Sequence, residues 1–156
     1  MSFKKNWQRD QNRSSAFRVR NSDMKRIQDD VATLFREVFA QELADAGYEL
    51  VEEIDADVLI VKPAIVDLDV VAPDIQTSSR SMSFSEQGGE MTLKLELLDS
   101  VTNDKIAEAT DRKKDYRQGY VEWRTSVNNR ALAKRMMTSW AKTLRSALDE
   151  ARSSAP

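Results

Sequence analysis

Residues 90–115, EMTLKLELLDSVTNDKIAEATDRKKD, restrict the fold more than any other stretch of this chain. Met91, Leu93, Leu95 and Leu97 alternate with Thr92, Lys94 and Glu96. That is the period of a strand with one apolar and one wet face. DSVTNDK then supplies a turn, in which Asn103 and Asp104 suit the left-handed conformation. Residues 105–116 return as a second strand that becomes strongly charged. Strands joined by so short a turn pair antiparallel. A sheet with one dry face needs a cover, so the flanking sequence must provide one.

It does so twice. Met24, Ile27, Val31, Leu34, Phe35, Val38 and Leu43 recur at three- and four-residue steps, the mark of an amphipathic helix. Ser22 is a suitable N-cap with Asp23 in the first turn, and Gly47 is placed to end the helix in the left-handed conformation. A second helix is expected from Glu122 or Thr125 to Arg152. Its stripe is Ala133, Met136, Met137, Trp140, Ala141, Leu144, Leu148 and Ala151. Arg130, Lys134, Arg135, Lys142, Arg145 and Arg152 make the rest of its surface basic.

Between the helices, residues 57–71 (DVLIVKPAIVDLDVV) read as a Val- and Ile-rich strand. Pro63 within it predicts an edge position or a bulge, because proline cannot donate to the ladder. Met82 and Phe84 alternate with serines as a half-buried strand would, and Gly88–Gly89 reads as a hairpin turn or bulge leading into residue 90. Residues 48–54 form a short strand or a connector. The expectation is an α+β fold: an antiparallel sheet of three to five strands with two long helices packed on one face. A length of 156 residues fits one domain. Residues 1–20 read as a basic N-terminal arm, either disordered or docked on the body. Residues 21–152 read as a single α+β domain and 153–156 as a frayed tail.

Charge is unevenly placed. The net charge is −2, yet residues 1–20 carry Lys4, Lys5, Arg9, Arg13, Arg18 and Arg20 against Asp10 alone. A basic arm on an acidic body suits phosphate or anionic lipid, though basic tails are commonly just solvated. The chain has no cysteine and no histidine. This removes disulfides, thiol chemistry, zinc and haem sites of ordinary type, and any Ser–His–Asp or Cys–His constellation. Gly47, Gly88, Gly89 and Gly119 fit no phosphate-loop or dinucleotide spacing. No run approaches a membrane span, and the opening MSFKKNWQRDQ has no apolar h-region of a signal peptide.

What remains is carboxylate chemistry and surface recognition. Asp67 and Asp69 lie two apart on a strand, with Asp74 near, and such a group can hold Ca²⁺ or Mg²⁺. The plainer reading is a wet strand face opposite Val66, Leu68 and Val70, and no cofactor or metal is expected. Trp7, Tyr120 and Trp123 are the candidate partner contacts, since interfaces favour such residues. Packing is the competing role for each.

Several elements, in order, resemble the bacterial domain-of-unknown-function 3313 family of envelope lipoproteins. The matching pieces begin VRNSDMKRIQDDVATLFREVF, continue with GGEMTLKLELLDSVTNDKIAEATDRKKD and end with NRALAKRMMTSWAKTLRSALDEA. The hairpin LLDSVTNDKIAEATDR and the terminal WAKTLRSALDEA carry most of the likeness. The resemblance implies a periplasmic or outer-membrane-associated protein. Its anchor would be a lipidated cysteine behind a signal peptide, neither of which is in this sequence. It implies no activity.

The leading expectation is therefore a non-catalytic envelope accessory or binding protein that acts through contacts with a protein partner. The alternative is an intracellular module that binds nucleic acid or anionic surfaces through the basic arm. Nucleic acid is disfavoured by a pI near 5.3. A carboxylate-based or divalent-metal-dependent enzyme ranks third.

Overall fold

The computed structural model describes residues 1–14, 18–70, 83–85, 89–114, 122–124 and 126–154. In chain order the elements are α1 (Trp7–Ser14), α2 (Asn21–Asp45), β1 (Leu59–Asp69), β2 (Ser83–Ser85), β3 (Glu90–Asp99), β4 (Lys105–Lys114), β5 (Glu122–Arg124) and α3 (Ser126–Ser154). The fold is α+β, with a three-stranded antiparallel sheet in the order β1-β3-β4. β2 and β5 form a separate antiparallel pair.

β3 is central because its alternation is cleanest. Met91, Leu93 and Leu95 are buried, while Lys94 and Glu96 are exposed. Both its edges are occupied, by β1 and by β4. That is why the serine-flanked strand Ser83–Ser85 does not join it as the expected hairpin and pairs with Glu122–Arg124 instead. The last helix begins at Ser126, next to Thr125, one of the two expected starts; Glu122, the other, lies in β5. The turn between β3 and β4 forms as its residues dictate. Asp99 Oδ1 accepts from the Val101 and Thr102 amides at 2.9 and 2.7 Å, and Asn103 takes φ 61°.

β1 is an edge strand, as Pro63 requires, and Pro63 stands opposite Leu95. Its bulge lies further on. The register slips between Val66 and Asp69, and Asp67 has φ 52°. A bulge of this kind reverses which alternate residues face inward. Ile65 before it and Leu68 after it are both buried. Asp67 and Asp69 therefore do not form one wet row: Asp67 is exposed at the bulge, and Asp69 is paired opposite Glu90.

α2 starts two residues earlier than an N-cap at Ser22 would place it. Arg20 is the N-cap, and its amide donates to Asp23 Oδ2 at 2.9 Å. The helix ends in a Schellman arrangement. Gly47 has φ 80°, its amide reaches the Ala44 carbonyl at 2.9 Å, and the Tyr48 amide reaches Leu43 at 3.0 Å. Residues 48–54 are a connector without strand structure.

One apolar cluster joins α2, α3 and the inward row of the sheet. Phe35 and Phe39 stack at 3.9 Å within it. Arg145 Nη1 holds Glu42 Oε1 at 2.6 Å and Arg130 Nη2 donates to Glu37 Oε2 at 3.3 Å, so polar bridges also link the two long helices, and Tyr48 Oη of the connector donates to Asp149 at 2.7 Å.

The arm is docked. Ser2 and Lys4 exchange backbone hydrogen bonds with Ile65 and Leu68 along the outer edge of β1. Phe3 stacks on Trp7 at 4.4 Å, and Trp7 Nε1 donates to the Val70 carbonyl at 3.2 Å. Trp7 and Val19 are members of the core.

Candidate functional site

A cleft of about 290 Å³ opens between α2, α3 and the bulged end of the sheet. Leu34, Leu68, Met91 and Met136 are buried residues of its lining, and Asp30, Asp69, Glu90 and Arg130 are its charged ones. Each wall has a local cause. Ile27, Val31 and Leu34 come from one stripe of α2. The bulge at Asp67 turns Leu68 inward. Gly89 leaves bare backbone. A Cβ there would stand 3.1 Å from the Asp69 carbonyl oxygen and 3.7 Å from Leu132 Cδ2. An enclosed apolar cavity of ~150 Å³ admits benzene. The volume of this cleft corresponds to one large apolar side chain or a short alkyl group.

Glu90 stands at the cleft with only 3% of its surface exposed. Arg112 Nη2 meets its Oε2 at 2.7 Å. Lys4 Nζ approaches its Oε1 to 2.9 Å and hydrogen-bonds Asp69 Oδ2 at 3.2 Å. The Lys4–Oε1 contact is an ion pair by distance without the alignment of a hydrogen bond. Burial pushes the Glu90 carboxyl up, but Lys4 and Arg112 outweigh it and hold the group below the ordinary glutamate range. The Lys4 ammonium is raised, first by Glu90 and then by Asp69. At neutral pH this is a charged, closed cluster that fastens the arm to the sheet.

The residues singled out in the sequence fare differently. Trp7 is 3% exposed in the core, so it is a packing residue and cannot serve as a surface contact in this fold. Tyr120 lies outside the described residues. Trp123 lies in β5, opposite Phe84 in register. Asp69 belongs to the Lys4–Glu90 cluster, Asp67 stands apart at the bulge, and Asp74 is outside the described residues. Among the described residues no group of three or more carboxylates converges as a metal site would.

Sequence reasoning missed Glu90, Gly89, Asp30 and Arg130 as neighbours. Glu90 sits in the row that alternation marks as wet, and Thr92 in that row is also buried, at 8% exposure. The one available signal was the excess of cations in residues 1–20, one of which must find an anion if the arm docks.

A family model described as "Protein of unknown function (DUF3313)" matches residues 12–144. The chain belongs to the DUF3313 family. No curated protein and no solved structure matches it. The match to this DUF3313 protein spans α2, the whole β1-β3-β4 sheet and most of α3. It stops short of residues 1–11, which hold Lys4 and Trp7.

Proposed function

We propose that this protein is a non-catalytic accessory protein of the bacterial envelope that works by binding a protein partner. The cleft between α2, α3 and the bulged end of the sheet is the observation that carries the reading. In this reading α2 and α3 both lie over the sheet face bearing Met91, Leu93 and Leu95, and the cleft is where that cover is incomplete. The occupant is an apolar side chain of an extended partner segment. Asp30 and Arg130 at the cleft give that segment's backbone polar groups something to meet. The absence of histidine and cysteine supports binding over catalysis. The envelope assignment is supported by the resemblance set out above.

Two measurements test it. Methyl resonances of Met91 and Met136 should shift saturably with n-hexanol, and Val31→Trp, which fills the cleft, should abolish the shift. Unsaturable or uniform shifts across the protein would remove the cleft from consideration. Separately, the protein should fractionate with the envelope when expressed from its own gene, and recovery in the cytosol would refute that part.

A further inference from the structure

The docked arm turns a run of basic residues into a fixed surface. In α1, Arg9 and Arg13 are one turn apart and share a face. The adjacent face of α1 holds the returning chain. Asn12 Oδ1 accepts from the Val19 amide at 2.6 Å, and Gln8 Nε2 donates to the Val19 carbonyl at 3.1 Å and to Asn21 Oδ1 at 3.1 Å. Val19 is 1% exposed, so its extended neighbours Arg18 and Arg20 turn outward, and both are exposed. Lys5, Arg9 and Arg13 are exposed as well. Arg9 has only a loose pair with Asp10 at 3.7 Å, between side chains that are both more than half exposed.

The contrast with neighbouring cations is instructive. Lys4 is committed to Glu90 and Asp69, Lys25 to Asp29, and Arg26 to Asp23. Lys5, the α1 residues Arg9 and Arg13, and Arg18 and Arg20 have no such commitments among the described residues beyond the loose Arg9–Asp10 pair. Trp7 faces the core, so it is not part of this surface.

We propose that this surface, formed by Lys5, Arg9, Arg13, Arg18 and Arg20, docks on an anionic phospholipid bilayer through its headgroup phosphates. Guanidinium groups pair with phosphate oxygens in a two-pronged geometry, and five cations match a plane of negative charge. Nucleic acid is disfavoured by the acidic pI near 5.3. The acidic remainder of the molecule is screened from a surface farther away than the Debye length, ~8 Å at physiological salt. The inference does not depend on the cleft: it uses a different face, and either can fail alone.

Co-sedimentation with vesicles of phosphatidylcholine, with and without about 30 mol% phosphatidylglycerol, tests it. The full chain should pellet with the anionic vesicles alone, and raising salt to about 0.5 M should release it. Arg9→Glu/Arg13→Glu/Arg18→Glu changes exposed side chains and should fold normally by circular dichroism. It should lower partitioning at least about tenfold, at several-fold per cation. Lys134→Glu/Arg135→Glu/Lys142→Glu, on α3, should leave partitioning unchanged. Equal binding to neutral vesicles, or full binding by the arm variant, overturns the proposal. Tighter, salt-sensitive binding to duplex DNA than to anionic vesicles also overturns it, in favour of a nucleic-acid surface.

Discussion

Lys4 Nζ lies 2.9 Å from Glu90 Oε1, so a carboxylate at the start of the central strand is held by the first residues of the chain. Lys4→Met leaves Glu90 with Arg112 as its remaining close cation. Lys4 is half exposed, which limits the loss to about 1 kcal/mol. Glu90→Ala removes the anion between two cations and should cost more, about 3 kcal/mol. Urea midpoints at unchanged slope check both values.

The same cluster sets an acid limit. Glu90 titrates below its ordinary range in the folded protein. Its stabilising contribution is complete above the unfolded glutamate range and is lost as pH falls through the lower folded value. Melting temperature should therefore drop as pH falls through and below the ordinary glutamate range, and Lys4→Met should flatten that drop. An equal drop in the variant would move the acid sensitivity elsewhere. Asp111 is a second contributor with the same sign, lowered chiefly by the Trp140 indole, which donates to it at 2.7 Å.

Asp67 holds a left-handed backbone, φ 52°, at an exposed position. Asp67→Gly should be neutral or stabilising by up to about 1 kcal/mol, while Asp67→Val should destabilise by about 1–2 kcal/mol. The β-branched residue strains a conformation on which the facing of Leu68 depends. Thermal melts of the pair settle the sign.

Trp7 is a core residue, and Trp7→Ala should destabilise by about 3–5 kcal/mol. Removing residues 1–20 would thus unfold the protein as well as discharge it. Charge reversals at Arg9 and Arg13 are the clean test of the basic surface, and their unfolding midpoints should match the parent.

Leu95→Asp buries an unpaired charge and should cost about 3–5 kcal/mol. Simple alternation makes Thr92→Asp silent, but Thr92 is buried in the same row as Glu90, so about 1–3 kcal/mol is expected. Lys94→Asp, on the exposed part of that row, is the near-silent control. Urea unfolding of the three variants should rank them in that order.

The fold was legible where one periodicity ran uninterrupted. The stripe of α2, that of α3 as far as Leu148, the β3–β4 hairpin and the edge position of β1 all follow from residues read locally, whereas Ala151, the expected end of the α3 stripe, is exposed. Phe39 and Leu132 also belong to the buried cluster. The bulge was legible as a possibility through Pro63, yet it forms at Asp67, where the chain turns Leu68 inward after Ile65. The candidate site was hardly legible. Its lining comes from α2, β1, β3 and α3, and nothing local to Glu90 or Gly89 says which of them will meet.

The sequence by itself determined the α+β class, the antiparallel hairpin, the helix ends at Gly47 and the lack of histidine and cysteine chemistry. Those follow from backbone preference, side-chain period and residue type, which act over a few positions. Only the tertiary structure decided that residues 1–14 of the basic arm dock on the sheet, that Trp7 is core, and that Lys4 closes on Glu90. Those depend on pairing groups far apart along the chain. A buried carboxylate must find cations wherever the fold brings them, and an aromatic ring near the terminus is buried only if the sheet edge is free to receive it.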